Sequence, residues 1–323
     1  MIEVHPRSSH RSRLVRLGSR AVVRPALGLW PSVGFAAPLL NLLDVGMRAL
    51  PRLPGTQVEA VDGGDWAAEL ITASTTDSAR GAIVYFHGGA FVMGGLGTHR
   101  RIAERVAQGT GLPVLSVAYR QHGRGHVDTS IADCVAAVNW LIERGIEPER
   151  IVVAGDSAGG HLAFAVALAA VADGVRLAGI VALSPWLEFD NTSRRRHRNA
   201  RRDDFIPAHR LQRVAHLVTG TTEIDPARSP VNASLRGLPP VLMMCAADEV
   251  LRYDAELMTE RLDKAGVPVQ LHIWEGQVHA FPVMADLLPE GMAAIEQIVS
   301  FTARVVAPVK IPVPRAPRAG LAS

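Results

Sequence analysis

Ser157 stands between small residues in the segment Gly155-Asp-Ser-Ala-Gly159, which follows the β-branched run Ile151-Val-Val153. An apolar stretch begins directly after it, so the order predicts a strand, a sharp turn and a helix. The small residues allow the strained backbone of such a turn, which holds the serine hydroxyl out at the carboxyl edge of a sheet. A serine in that position is typical of enzymes that form a covalent intermediate on a hydroxyl group.

A serine hydroxyl becomes a strong nucleophile when a base removes its proton and a third group orients that base. Asp248 follows the apolar run Val241 to Ala247, which reads as a buried strand. His279 lies in the loop after another predicted strand, at 269–274. Open α/β sheets place functional groups at the carboxyl ends of their strands. The chain order Ser157, Asp248, His279 is the order of an α/β-hydrolase triad.

Other residues near these positions are weaker candidates. Glu249 comes one residue after Asp248, and Asp254 begins the next predicted helix, where an acid is explained by capping and the helix dipole. His272 lies within a predicted strand, so its side chain belongs to a strand face. We therefore predict Asp248 as the acid and His279 as the base.

The developing charge on a substrate carbonyl oxygen requires preorganised N–H donors. A strand-forming run ends at His87 and is followed by Gly88 and Gly89, whose backbone can approach a ligand closely. Together with the N–H of Ala158, these two glycines are the predicted oxyanion donors. His87 and Asp156, which flank the donor loop and the serine, are predicted to support the site.

Several motifs together resemble the bacterial hormone-sensitive-lipase-like carboxylesterases over about residues 55 to 305. The resemblance implies an α/β-hydrolase fold with an eight-stranded, mostly parallel sheet and a helical cap. It also implies hydrolysis of short- to medium-chain acyl esters without a cofactor or metal, with oxyanion donors at Gly88, Gly89 and Ala158. The motifs are HGGAF at 87–91, GDSAGG at 155–160, SPW at 184–186, SPVNASLRGLPP at 229–240, Asp248 with Leu251 and Asp254, and His279-Ala-Phe281.

The chain departs from the family pattern at two places. Ala90 stands where the family often has a third glycine, and the HGGA form is compatible with the same loop. Residues 121–126 read Gln-His-Gly-Arg-Gly-His where the family usually has a Leu-Ala-Pro-Glu type of segment.

Hydrophobic periodicity predicts alternating strands and helices, and this alternation favours a parallel sheet. Residues 56–73 are expected to add an antiparallel pair at one edge. The predicted helices lie near 98–109, 128–144, 158–173, 208–219, 254–265 and 290–305, and the predicted strands near 81–87, 113–118, 151–154, 177–183, 241–247 and 269–274.

The same patterns suggest how the chain is divided. Residues 1–55 are expected to form an N-terminal cap segment, and residues 186–235 a cap insertion. The hydrolase core then comprises 56–185 and 236–305. Residues 306–323 contain four prolines and read as a disordered tail.

Composition limits the other classes of protein. Cys134 and Cys245, the two cysteines, are far apart in sequence and suggest neither a disulfide framework nor a metal cluster, so a cytoplasmic location is expected. The net charge of +3 is uneven, with eight arginines in 1–52 and six in 194–202. The second run lacks interleaved aromatic residues, which argues against nucleic-acid binding. No stretch reaches the ~18 apolar residues that a spanning helix needs.

The basic segments leave alternatives open. The N-terminal segment reads as cap helices, with loose contact to an anionic membrane or an export signal as alternatives. The arginines of 194–202 read as a solvated loop, with a phosphate, an anionic head group or acidic lipid as alternative partners.

The expected function is that of a serine carboxylesterase acting on a small-molecule ester. The alternatives are a membrane-surface lipase for longer acyl chains, an amidase or deacetylase with the same triad, and a ligand-binding protein without catalysis. The oligomeric state is left open, a homodimer included.

Overall fold

The computed structural model describes residues 1–6, 8–29 and 36–306. The tail predicted at 306–323 therefore lies, from residue 307 onward, outside the described residues. The strands are β1 Ile2–His5, β2 Thr56–Asp62, β3 Ala67–Ala73, β4 Ala82–Phe86, β5 Val114–Ala118, β6 Ile151–Asp156, β7 Gly179–Leu183, β8 Val241–Ala246 and β9 Val269–Trp274. The α-helices are α1 His10–Gly18, α2 Arg24–Leu29, α3 Ala36–Arg48, α4 Leu96–Thr110, α5 Val127–Ile142, α6 Ala158–Ala172, α7 Thr192–Arg196, α8 Leu211–Thr219, α9 Arg252–Lys264 and α10 Pro289–Val305.

All nine strands form one sheet in the order β1-β9-β8-β7-β6-β4-β5-β3-β2. The strands from β1 to β5 in this order run parallel, whereas β3 and β2 are antiparallel additions at the far edge. The antiparallel pair predicted within 56–73 is thus confirmed. The sheet is the mostly parallel sheet of an α/β hydrolase.

The ninth strand is the difference from the expected eight. β1 pairs with β9 in the register Glu3↔His272 and covers the backbone groups that β9 would otherwise leave unpaired at the sheet edge. Four residues of alternating type are too short a pattern to separate a strand from a loop, so the sequence placed all of 1–55 in the cap. Residues 2–5 belong to the sheet instead.

The core occupies both faces of the sheet. One face packs against α5, α6 and α9, and the other against α4 and α10. The central strands are buried along their whole length, as expected for parallel strands covered on both sides. This arrangement brings the carboxyl ends of β4, β6, β8 and β9 to one edge of the sheet, where the loops of the candidate site begin.

Two segments cover that edge. The insertion between β7 and β8 contains α7, α8 and several short 3₁₀ turns, and apolar residues of α8 join the core beside α5. α1 is anchored to α10 because Ser12 Oγ lies 2.9 Å from Glu290 Oε2 and Ser9 also bonds to that carboxylate. Among the described residues, no helix combines the length and apolar character needed to cross a membrane.

Candidate active site

Ser157 occupies the turn between β6 and α6 with φ 53° and ψ −114°, a strained conformation for a residue with a side chain. Its N–H donates to Leu183 O at 2.8 Å, and its carbonyl accepts from Trp186 N at 3.0 Å, so neighbouring loops hold the turn. A Cβ on Gly159 would lie 1.8 Å from Phe86 O. Glycine is therefore required there, because the turn packs directly against the end of β4.

His279 is paired with Glu249. The distance from His279 Nδ1 to Glu249 Oε2 is 3.0 Å, and both side chains are buried. Burial by itself lowers the pKa of His279, but the hydrogen bond and the charge of Glu249 outweigh it and raise the pKa above its ordinary value. The pair thus has the geometry of a base oriented by a carboxylate, which holds a proton on Nδ1 and leaves Nε2 to accept one.

The prediction that Asp248 orients His279 is wrong. Asp248 is about one-third exposed and faces the opposite way, with Oδ2 accepting from Arg16 Nη2 at 3.3 Å and Oδ1 lying 3.8 Å from Arg202 Nη1. The strand ends where the sequence suggested, since Ala247 N–H makes the last bond to Trp274 O. The difference lies in the turn that follows, where Asn199 Nδ2 donates to the carbonyl groups of Ala247 and Glu249, and Glu249 is the residue directed to the histidine loop.

The loop after β4 supplies N–H groups at the other side of the serine turn. Gly89, Ala90 and Phe91 all have positive φ, which turns their backbone sharply. Gly88 N–H is not free, since it donates to Asp156 Oδ1 at 3.0 Å. Within the described residues, no acceptor is found for the N–H groups of Gly89, Ala90 and Ala158. The structure therefore does not support Gly88 as a donor, and the N–H groups available beside Ser157 are those of Gly89, Ala90 and Ala158.

Ala90 was not predicted as an N–H donor, although the sequence contained a signal for it. The family pattern often has a glycine at this position, and the φ of 54° found for Ala90 explains that preference. The loop at 121–126 departs from the family sequence but still supports the donors. His122 N–H donates to Phe91 O at 2.8 Å, and Gln121 Nε2 donates to Gly94 O at 3.1 Å.

Asp156 joins the donor loop to the serine turn. Besides Gly88 N–H, its Oδ1 accepts from Tyr85 Oη at 2.8 Å, and its Oδ2 lies 3.4 Å from His99 Nε2. Burial raises the pKa of Asp156, but the charge and hydrogen bond of His99 reverse that effect, and the pKa falls below its usual value. Asp156 is therefore a buried anion that links the donor loop, at Gly88, to β4 and α4.

His87 begins the donor loop as a neutral, packed side chain. Its Nδ1 lies 2.8 Å from Gly88 O, its ring stacks on Tyr119 at 4.4 Å, and Tyr119 Oη donates to its carbonyl oxygen. Burial lowers its pKa to about 4. The positions of His87 and Asp156 suit the supporting roles that we predicted for them.

The cap insertion holds the loop that carries Glu249. Asn199 Nδ2 donates to Ala247 O and to Glu249 O, both at 2.9 Å. Asp203 Oδ2 accepts from Val250 N at 2.7 Å. Neither residue was predicted, because a polar residue that bonds to distant backbone leaves no pattern in the sequence around it.

Asp203 also influences His279. Burial raises the pKa of Asp203 to about 6, against the lowering effect of the N–H groups that it accepts. Its negative charge in turn adds to the elevation of the His279 pKa. The ring of Phe205, two residues further on, lies 5.7 Å from the ring of His279. The cap therefore touches both the acid and the base.

The arginines of 194–202 divide into one buried and five exposed side chains. Arg194 is fully buried, with Nη1 at 2.9 and 2.7 Å from the two carboxylate oxygens of Asp254. Asp254 also accepts the N–H groups of Leu187 and Glu188, so it ties the cap insertion to α9 rather than capping the helix alone. The five exposed arginines are compatible with the solvated-loop interpretation and with its alternatives, whereas the burial of Arg194 excludes that interpretation for Arg194.

Comparison with known proteins agrees with this geometry. A family model described as alpha/beta hydrolase fold matches residues 83–283. The chain is 35% identical to the esterase LipU of Mycobacterium tuberculosis over 286 residues, which cover 85% of this chain and 96% of LipU. It is 34% identical to the carboxylesterase/phospholipase LipF of the same species over 305 residues, or 90% of this chain and 80% of LipF.

Solved structures give the same result. An esterase from the bacterial hormone-sensitive lipase family superposes with a TM-score of 0.83 at 30% identity, over 93% of this chain and 99% of that one. A structure of EstE5 soaked with p-nitrophenyl butyrate has a TM-score of 0.82 at 28% identity, over 93% and 100% of the two chains. The chain therefore belongs to the α/β-hydrolase family and is a carboxylic ester hydrolase of the hormone-sensitive-lipase-like group.

Proposed function

We propose that the protein is a serine carboxylesterase that hydrolyses short- to medium-chain acyl esters through an acyl-enzyme on Ser157. The observation that carries the proposal is the buried pair of His279 and Glu249, located after strands whose carboxyl ends meet the serine turn. A histidine with its Nδ1 proton fixed by a carboxylate is suited to remove the serine proton through Nε2.

The reaction has two halves. His279 takes the proton of Ser157 Oγ, which attacks the ester carbonyl carbon, and the N–H groups of Gly89, Ala90 and Ala158 stabilise the oxyanion. Collapse of this intermediate breaks the ester bond, and His279 returns its proton to the leaving alcohol. A water molecule, deprotonated by His279, then attacks the acyl carbon. When this second tetrahedral intermediate collapses, the bond to Ser157 Oγ breaks, His279 returns its proton to Ser157 Oγ, and the carboxylic acid leaves. The Glu249 carboxylate stabilises the imidazolium form of His279.

A series of p-nitrophenyl esters from acetate to palmitate tests the proposal. Initial rates should be highest for short or medium chains, and Ser157→Ala should lower kcat by at least about 10⁴-fold without altering the melting temperature. Mass spectrometry of the wild-type protein, quenched during turnover, should show an increase in protein mass equal to one acyl group. A folded Ser157→Ala enzyme that keeps most of its turnover would refute the mechanism. A maximum at palmitate would refute the proposed chain length but not the mechanism.

An amidase or deacetylase would use the same residues, so the corresponding p-nitroanilides belong in the same experiment. Under the proposal, kcat/KM for the butyryl ester exceeds that for the butyryl anilide. The reverse order would favour the amidase alternative.

One observation favours a second candidate, action at a membrane surface. Among the described residues, eleven of the twelve exposed large apolar side chains belong to the first 50 residues. Leu14, Leu17, Ala21, Pro25 and Leu29 are all exposed and follow a helical spacing of three to four. Such a stripe beside arginines is typical of helices that lie on anionic lipid.

Flotation with vesicles separates this candidate from an esterase that acts only in solution. The protein should float with vesicles rich in anionic lipid and remain in the bottom fraction with neutral vesicles. The double variant Leu14→Ser, Leu17→Ser should lose flotation. Leu287→Ser should keep it, because Leu287 is the one large apolar side chain among the described residues that is exposed outside the first 50. Equal behaviour of the two variants would refute membrane docking through the N-terminal helices, and a change of oligomeric state in the double variant alone would point to a protein interface.

A further inference from the structure

A group of three metal-ligand side chains lies at the edge of the sheet formed by β1 and β9. Glu3 and His5 are two positions apart on β1, so both side chains project from the same face of the strand. His272 is opposite Glu3 on β9. Within the described residues, this is the one group of three such side chains whose ligand atoms all converge.

The ligand atoms have the separation that a small divalent ion requires. His5 Nε2 lies 2.9 Å from His272 Nδ1 and 3.6 Å from Glu3 Oε1, and Glu3 Oε2 lies 3.8 Å from His272 Nδ1. Ligands of a tetrahedral zinc ion, with bonds of 2.0–2.1 Å, are about 3.3 Å apart. The two nitrogens and one Glu3 oxygen lie within 4.8 Å of one another, so small shifts of these side chains, chiefly of the half-exposed Glu3, would bring all three to the distances that one ion requires.

The surroundings of the two imidazole rings suit the binding of a metal ion. The ring of His5 stacks on Trp274 with 3.9 Å between centroids and 10° between planes, so its orientation is fixed before an ion arrives. His272 is 5% exposed, whereas Glu3 is half exposed. The ion would therefore have protein on one side and water on the other, which leaves its fourth position open.

We propose that Glu3, His5 and His272 form a binding site for a divalent transition metal ion, with zinc as the preferred occupant. Two imidazole nitrogens and one carboxylate suit Zn²⁺, Co²⁺ or Ni²⁺, whereas Mg²⁺ and Ca²⁺ prefer oxygen ligands throughout. The site joins two strands that pair at only four positions, so a bound ion clamps β1 to the sheet. Because α1 follows β1 and Arg16 of α1 contacts Asp248, the clamp also steadies the helix beside the acid loop.

Cobalt titration of the protein with any affinity tag removed tests the site. Removal of the tag is necessary because a polyhistidine tag binds the same ions. We expect one Co²⁺ per chain with the intense visible absorption of a four-coordinate ion, displaced by Zn²⁺. His5→Gln and Glu3→Gln should each weaken Co²⁺ binding by at least about tenfold, since even the loss of a supporting residue has that effect at metal sites.

His10→Gln is the matched control, because His10 is an exposed histidine in the same part of the chain. It should bind Co²⁺ as tightly as wild type. Zn²⁺ should also slow amide hydrogen exchange of Glu3 to His5 in wild type and not in His5→Gln. No binding at micromolar Co²⁺, or equal binding by wild type and His5→Gln, would overturn the proposal. Turnover of a p-nitrophenyl ester confirms that each variant is folded, since none of these residues belongs to the candidate active site.

Discussion

The serine turn and the acid loop are held in place by different means. The serine turn is a local structure, in which Gly155 and Gly159 admit a strained backbone and the adjacent strands β4 and β7 pack against it. The acid loop, residues 247–251, depends on remote side chains from the cap, Asn199 and Asp203. Changes in the serine turn should therefore abolish activity outright, whereas changes around the acid loop should reduce it by degrees.

The largest expected effect is on kcat/KM, and it distinguishes Glu249 from Asp248 when each carboxylate is replaced by its amide. Glu249→Gln should lower kcat/KM by about 10⁴-fold, the loss that an amide in place of the triad acid produces. Asp248→Asn should lower it by less than about tenfold, because Asp248 meets solvent and Arg16 rather than His279. Steady-state rates on a butyryl ester measure both. A large loss in Asp248→Asn with little in Glu249→Gln would contradict the assignment.

The next effect concerns the joint between the cap and α9. Arg194→Met leaves the buried carboxylate of Asp254 without its partner and should lower the free energy of unfolding by about 3–5 kcal/mol. Arg195→Met, the exposed neighbour, should stay within about 0.5 kcal/mol of wild type. Urea denaturation followed by circular dichroism gives both values. Equal stability of the two variants would show that the buried pair does not hold the cap.

A smaller effect is expected where the cap grips the acid loop. In Asp203→Asn, the N–H group of a side-chain amide can face the Val250 N–H, which now donates to a carboxylate oxygen. The loss of that hydrogen bond should lower the free energy of unfolding by about 1–3 kcal/mol. The variant also removes a negative charge that raises the pKa of His279, so the acid limb of the kcat/KM profile should move to lower pH. Asp190→Asn, an exposed cap acid, is the control and should move neither quantity. An unchanged pH profile in Asp203→Asn would remove Asp203 from the account.

The smallest effect tests the donor loop. Ala90 has φ 54°, a conformation that costs about 1–2 kcal/mol for a residue with a Cβ. Ala90→Gly should therefore leave the melting temperature equal or higher, and kcat/KM should change little because the N–H donor remains. A marked fall in stability would mean that the methyl group of Ala90 contributes packing that outweighs the strain.

The sequence predicted the local part of the site well. Gly155 to Gly159 gave the serine turn, and the alternation of apolar runs gave the parallel strands, because both are set by residues close together in the chain. The choice between Asp248 and Glu249 was not accessible in this way. It depends on the contacts of the turn after β8, which involve Arg16 of α1 and a cap residue about 50 positions away.

Two further features show the same limit. β1 is too short to be recognised without its partner β9, and the burial of Arg194 depends on Asp254, 60 positions away. Gly88 was predicted as an oxyanion donor because its type suits that role, but Asp156 already accepts its N–H. Residue type indicates which chemistry is available, whereas tertiary contacts decide which group performs it.

The most direct test of the assignment of Glu249 is an NMR titration of the His279 imidazole in wild type, Glu249→Gln and Asp248→Asn. A His279→Asn sample identifies the resonance among the twelve histidines. In wild type the pKa should lie above the ordinary value of 6.5, because the Glu249 carboxylate favours the imidazolium form. Glu249→Gln should lower this pKa, and Asp248→Asn should leave it nearly unchanged. A fall in Asp248→Asn with no change in Glu249→Gln would contradict the account.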